Sequence, residues 1–328
     1  MSRPVALASV LVLAATVSLF VALVSGPFPI PAQVVLDSIL FPVPGVVHDV
    51  IWELRAPRAL AAFACGGLLA LAGALLQALL RNALADPYVL GVSGGAALGA
   101  LLAMVAGAGA AFMNLAALAG AACAILIVFG LSFRSGEWDI YRLLLTGVVL
   151  AAGLSALVSL TLVTAPYVQT KGMLFWLMGD LSFADRVAPA LGVLLAGTLV
   201  AVGGARGLDL LALGAFKARS LGLSVKALQV TVFVLAAVAT AMAVMLAGSV
   251  GFVGLVAPHA VRLMGISAYR WLLPLAVLLG GAFLTLADTV ARTIVAPQQL
   301  PVGVLTAIIG VPLMLWLLGR SRLAATSV

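Results

Sequence analysis

The residues of this sequence that could do chemistry are few, and most are arginines. WELRAPRAL (Trp52–Leu60) sets Arg55 and Arg58 three residues apart, on one face of a helix that begins there. LADTVART (Leu286–Thr293) spaces Asp288 and Arg292 by four, the separation of an intrahelical ion pair. LDLLALGAFKARSLGLSV (Leu208–Val225) carries Asp209, Lys217 and Arg219 between glycines at 214 and 222. Such groups recognise charge and do not make or break bonds. No GxxxxGK[ST] phosphate loop is present, nor HExxH, nor GxSxG. His48 and His259, Cys65 and Cys123 show no metal-ligand spacing, so neither a metal site nor a disulfide is expected.

The elements that hold these residues must sit in lipid. Of 328 residues, 65% are hydrophobic and 8% charged, and mean hydropathy is +1.29. A soluble domain is nearer half apolar and a quarter charged. The pattern predicts an all-α polytopic membrane protein; a β-barrel would show alternating segments of about ten residues. The net charge of +7 would suggest nucleic acid in a soluble protein. Here its placement matters more than its sum, and no nucleic-acid partner is expected.

About 20 apolar residues cross a hydrocarbon core. Runs of that kind are 5–24, 58–80, 89–108, 112–131, 142–163, 187–204, 227–248, 271–291 and 301–319, with a shorter one at 250–264. The first is longer than a signal-peptide core and lacks a clean cleavage site, so it reads as a retained span. Ten spans with both termini inside put twelve of the 17 lysines and arginines on the inner side. Arg55, Arg58, Lys171, Arg186 and Arg292 then fall outside. Nine spans would move Arg320 and Arg322 out and weaken the bias. Residues 1–328 therefore read as one transmembrane domain, with 208–225 in the cytoplasm.

In that frame the polar patches acquire places. Arg55, Arg58 and Arg292 share the outer side and suit an acidic partner there. Asn82, Asp86 and Pro87 form an inner turn of capping residues. FWLMGDLSF (Phe175–Phe183) suggests a re-entrant or interfacial outer piece, and Gly95-x-x-x-Gly99 permits close helix approach. His259 and Arg262 end a glycine-punctuated short helix on the inner side. Leu208–Leu213 and Ala215–Leu221 read as two short helices joined at Gly214 and stopped at Gly222. Leu210, Leu213, Phe216 and Leu221 would form their apolar face, opposite Lys217 and Arg219, offered to lipid headgroups or to a groove on another protein. Asp288, near an outer end, is the only acid in a span, whereas a coupled carrier keeps acids near the midplane. The path is therefore passive or is driven by a partner.

Four segments together resemble one family, the permease subunits of bacterial ABC importers for iron-siderophores, haem and vitamin B12. They are LRAPRALAAFACGGLLALAGALLQALLRNALADPYVLGVSGGAALGA (54–100), LALGAFKARSLGLSV (211–225), GFVGLVAPHAVRLMG (251–265) and LPVGVLTAIIGVPLMLWLL (300–318). The resemblance implies the type II importer permease fold, with about ten transmembrane helices per subunit and a homodimer whose seam is the path. It implies two cytoplasmic ATPase subunits that use ATP and Mg, this chain binding no cofactor. They would meet Leu210, Leu213, Gly214, Phe216, Lys217, Arg219, Leu221 and Gly222. It implies a periplasmic binding protein docking on Arg55, Arg58 and Arg292, and a path lined by Thr146, Ser155 and Ser159 of the fifth span. Ala215–Phe216 stand where such permeases often carry an acid. GMLFWLMGDL, with Asp180, is more similar to the vitamin B12 members. The expected function is inner-membrane import of a metal chelate by alternating access, the chain itself being no enzyme. The alternative is a passive channel or secondary carrier for a hydrophobic or bulky solute.

Overall fold

The computed structural model describes residues 3–134, 137–138, 140–182 and 187–325; Phe183 and Arg186 lie outside that set. The chain begins with α1 (Arg3–Val24), α2 (Ala32–Leu40) and α3 (Val46–Asp49). A π-helical stretch, Val50–Arg55, then runs into α4 (Ala56–Leu80). A 3₁₀ turn at Pro87–Leu90 precedes α5 (Val92–Val105) and α6 (Ala110–Ser132). The only strands among the described residues, β1 (Phe133–Arg134) and β2 (Glu137–Trp138), pair antiparallel before α7 (Ile140–Thr164) and α8 (Tyr167–Leu177). Next come α9 (Val187–Gly203), α10 (Ala205–Ala212), α11 (Ala215–Ser220) and α12 (Val225–Ala247). The chain closes with α13 (Val253–Leu263), α14 (Tyr269–Thr293) and α15 (Val302–Ala325).

Each of the ten apolar runs coincides with a helix: α1, α4, α5, α6, α7, α9, α12, α13, α14 and α15. Six are long and apolar enough to cross a bilayer unaided, and α9 joins α10 through a 60° bend. The others, Val92–Val105, Val253–Leu263 and Val302–Trp316, are shorter. At 1.5 Å per residue α13 spans only about 16 Å. Its first turn is tolerable at membrane depth because protein surrounds it, with Val250 and Val253 buried, whereas its last residue, Leu263, is exposed. Val253, Gly254, Val256 through His259 and Val261 are all buried.

The axis of the fold is α4. Twenty of its 25 residues are buried, so it reads as apolar all round rather than amphipathic. Small residues let its neighbours approach. A methyl on Gly66 would fall on the Gly280 carbonyl of α14, and one on Gly73 on the Gly254 carbonyl of α13. Gly95 and Gly99 serve the same purpose inside the subunit, facing Gly120 and Ala116 of α6. The helix α1 is part of this packing: Leu11, Ala15, Ser18 and Ala22 are buried, the last three a turn apart. By contrast α7 is nearly bare, with 11% of its most apolar window buried.

The inner turn forms as its residues predict. Asn82 Oδ1 accepts the Leu84 N–H at 2.9 Å, and Asp86 Oδ1 accepts the Tyr88 N–H at 2.8 Å. Burial pushes the Asp86 carboxyl up, opposed by that Tyr88 hydrogen bond. The Tyr88 hydroxyl in turn accepts from the Val250 N–H at 2.9 Å, tying the turn to the start of α13.

Candidate functional site

At the end of the bundle that the arginine bias puts outside, the chain collects its strongest charges. Arg58 Nε lies 3.0 and 3.2 Å from the two Asp288 carboxylate oxygens, and Nη2 lies 2.8 Å from Oδ1. Its Nη1 donates to Gln299 Oε1 at 2.7 Å and to Ser182 Oγ at 3.3 Å. Arg292 stands 3.8 Å from the same carboxylate, four residues along α14, and donates to the Ala22 carbonyl of α1. Arg55 Nη1 donates to the Leu23 and Val24 carbonyls at 2.7 and 2.9 Å, and Nη2 donates to that of Phe28. A guanidinium there meets the negative end of the α1 dipole.

This geometry corrects the expected outward basic patch. The three arginines do gather, but Arg55 and Arg292 are each 5% exposed and turn inward onto α1. Unsatisfied carbonyls at the end of α1 and the Asp288 carboxylate draw them in, because a buried charge must be paired or solvated by protein dipoles. Arg55 and Arg58 also serve different elements, α1 and α14. Arg58 alone keeps an edge open, with 15% of its side chain exposed.

Beneath this cluster the chain re-enters. After α8, residues 178–182 wedge between the end of α12 and the start of α15. The Asp180 N–H donates to the Ala247 carbonyl at 2.9 Å, and the Val302 N–H to that of Gly179 at 3.0 Å. Gly179 takes φ +85°, and the Asp180 carboxylate accepts the Ser182 N–H at 2.8 Å. So residues 175–182 are a helix end followed by a turn folded back into the bundle, and Phe183, the last residue of FWLMGDLSF, lies outside the described residues. Between α8, the α5–α6 connection and the end of α12 lies a cavity of about 630 Å³. Met104, Met113, Met245, Phe175 and Trp176 wall it, with Asn114, Lys171 and Asp180 as polar points. Three thioethers make an adaptable apolar wall. No periodicity signalled this cavity, because its walls come from distant segments.

On α7, Ser155 and Ser159 are exposed and Thr146 is half-buried. Ser159 Oγ donates to the Ser155 carbonyl at 2.9 Å, so that hydroxyl is satisfied within its helix.

At the opposite end, the 205–224 segment folds as two helices. Gly214 at φ +110° breaks them apart and Gly222 at φ +81° ends the second, conformations that favour glycine. Leu211, Ala218 and Val225 form their small core, with Leu210 packed against it. Leu213, Phe216 and Leu221 are 60, 85 and 63% exposed. The expected apolar face is thus split: Leu210 turns inward, and the other three stand out beside the exposed Lys217 and Arg219.

A polar network behind these helices joins Asp209 and Arg262, which the sequence named separately, to Gln77 and Tyr269, which it did not mark. Asp209 Oδ1 accepts the Tyr269 N–H at 3.0 Å, capping the first turn of α14. Arg262 donates to Gln77 Oε1 on α4 and to the Tyr269 hydroxyl at 3.3 Å. Gln77 Nε2 reaches the Gly254 and Leu255 carbonyls at 3.4 Å. His259 is 8% exposed, and neither ring nitrogen has a partner among the described residues. Gln77 and Tyr269 are single polar residues in apolar text, without a spacing that marks them. Among the described residues no three His, Cys, Asp or Glu side chains gather to hold a metal ion.

Nine apolar helices around a tenth, the buried α4, with polar clusters at both ends, define a multi-pass membrane permease. The chain belongs to the FecCD transport family, whose pattern matches residues 13–320. It is 39% identical over 303 residues to the cobalamin import system permease protein BtuC of Halobacterium salinarum, covering 91% of this chain and 81% of that protein. It is 38% identical over 276 residues to the vitamin B12 import system permease protein BtuC of Escherichia coli, covering 83% and 84%. Among solved structures, an inward-facing metal-chelate type ABC transporter superposes with TM-score 0.85 at 29% identity, over 97% of this chain and all of that one. PsaBC from Streptococcus pneumoniae, solved with a Fab, gives TM-score 0.54 at 16% identity over 82% of this chain and 93% of that one, a likeness of fold alone.

Proposed function

We propose that this chain is the inner-membrane subunit of an ATP-driven importer for a metal chelate of the cobalamin class. Two copies form the path along a shared seam, and ATP hydrolysis belongs to cytoplasmic ATPase subunits. Relatives that import cobalamin support the substrate class. The observation that carries the coupling role is Phe216, 85% exposed on α11 between exposed Leu213 and Leu221. Aromatic side chains with apolar neighbours are what a partner's groove takes up. The bareness of α7, with Ser155 and Ser159 on it, supports its place at the seam and path, with Thr146 nearer the inner end. A periplasmic binding protein would dock at the opposite end, around the open edge of Arg58, with Arg55 and Arg292 holding the surface beneath it.

The stroke has a physical route. Asp209 fastens α10 to the first turn of α14, and α14 runs about 29 Å as one helix from there to Asp288, which holds Arg58 of α4. Movement of the Leu208–Val225 helices therefore displaces a rod whose far end holds the re-entrant turn through Arg58, Ser182 and Gln299. For ATP to drive the cycle, the ATPase must bind the two conformations with different affinity.

The coupling assignment is tested by Phe216→Asp. Burying a carboxylate where an aromatic anchor docks is expected to cut copurification of the ATPase subunit by about thirtyfold, the order of a hot-spot loss. The permease itself should remain folded, since the side chain is outside the core. Undiminished copurification would place the ATPase elsewhere.

A further inference from the structure

The basic end of α14 is flanked by two concavities, one charged and one apolar. The first, about 460 Å³, lies where the α9–α10 bend meets the start of α14. Arg206 and Arg270 line it, with Val202, Ala205 and Ala268 as apolar wall. Both arginines are exposed, and neither has an ion pair or hydrogen bond among the described residues. Asp209 is the one acid in the lining, and its Oδ1 is engaged by the Tyr269 N–H. The cavity therefore keeps a net positive charge, held by guanidinium groups from segments 64 residues apart in the chain. Guanidinium forks match phosphate oxygens bidentately.

The second concavity begins one residue later. Trp271, with Val5, Ala8, Ser9, Val12, Leu13 and Thr16 of α1, lines an open, mostly apolar groove of about 500 Å³, and the Ser9 and Thr16 hydroxyls are spent on the Val5 and Val12 carbonyls of their own helix. Val5, Val12 and Leu13 are 37, 51 and 64% exposed, so this face of α1 looks outward along its length. A third guanidinium, that of Arg3, lies against Gly265 in the turn leading into α14. A phosphate-sized basic cavity beside an apolar groove that runs into the membrane matches a phosphate head joined to an acyl chain.

We propose that Arg206 and Arg270 bind the phosphodiester headgroup of an anionic phospholipid of the inner leaflet, with an acyl chain along the α1–Trp271 groove. Free inorganic phosphate shares the headgroup chemistry but has no use for the groove. The site rests on the chain being membrane-embedded and not on the identity of any transported solute. Located at the joint between α10 and α14, the bound lipid would brace the bend that the coupling helices hang from.

The test uses the full-length permease in detergent, with retained lipid read by native mass spectrometry. Phosphatidylglycerol should remain bound one per subunit and phosphatidylcholine should be retained much more weakly. Arg206→Gln/Arg270→Gln should weaken phosphatidylglycerol binding about thirtyfold, the order for two basic groups at about 1 kcal/mol each. Arg206→Lys/Arg270→Lys, which keeps the charge, should retain most of it and guards against simple misfolding. Arg81→Gln/Arg142→Gln removes equal charge elsewhere on that side and should change retention less than twofold. Equal loss in that control, equal retention of phosphatidylcholine, or full displacement by equimolar inorganic phosphate would each overturn the proposal. So would a Gln variant that keeps its lipid but loses the ATPase subunit, since the arginines would then be serving a protein.

Discussion

Asp288→Ala is expected to lower the melting temperature of the purified permease by on the order of 10 °C. The carboxylate is 2% exposed and answers two guanidinium groups, Arg58 through both oxygens and Arg292 from one turn away. Removing it strands Arg292, which is 5% exposed, against Arg58 with nothing negative between them. Breaking a buried pair on one side costs about 3–5 kcal/mol, more than the pair itself contributes, because an uncompensated charge remains. The size of that loss in a chain this large gives the temperature shift. Asp288→Asn should cost less, since the amide oxygen still accepts from Arg58. Asp288→Ala/Arg292→Met should recover part of the loss by removing one stranded charge. A single alanine variant melting within 2 °C of the parent would show that the outer cluster does not hold α4 to α14.

The second large effect is expected from Gly73→Leu. The helices α4 and α13 touch backbone to backbone at this residue, where a methyl would already fall on the Gly254 carbonyl. Neither partner can yield by turning a side chain, so the helices must separate. That separation also pulls Gln77 from the Gly254 and Leu255 carbonyls and from Arg262. Overpacking alone costs about 1–3 kcal/mol. With the Gln77 hydrogen bonds broken as well, the variant should melt far below the parent or fail to accumulate. Gly130→Ala on α6 is the contrast: nothing lies within 4 Å of the added methyl, and the change should be neutral or slightly stabilising. Similar behaviour of the two variants would remove close packing of α4 as an explanation.

Much of the architecture was legible because lipid imposes a coarse rule. Apolar runs of about 20 residues had to be helices, and all nine are, as is the shorter run at 250–264. The breaks at Gly214 and Gly222 and the caps at Asn82 and Asp86 were readable because they are local chemistry. Direction was not legible. The sequence put Arg55, Arg58 and Arg292 at one end but could not show that carbonyls of Leu23, Val24 and Phe28 would converge on Arg55. It offered Leu210, Leu213, Phe216 and Leu221 as one face, whereas Leu211, Ala218 and Val225 supply the core and push three of those four outward. The Gly95-x-x-x-Gly99 spacing promised close approach without naming the partner, which is α6 of the same chain. The α8 cavity and the Asp209–Tyr269 fastening join residues 60 or more apart, beyond the reach of any local pattern.

The central claim is that this permease moves a metal chelate only when an ATPase works on it from the Phe216 side. Proteoliposomes holding the permease with its ATPase subunit, supplied with the cognate binding protein outside, would be scored for uptake of radiolabelled cobalamin with and without internal ATP and Mg. Accumulation should require ATP and the binding protein, and should be lost in Phe216→Asp vesicles. Uptake that proceeds equally without ATP, or with the permease alone, would contradict the account and leave a passive path or a self-sufficient carrier in its place.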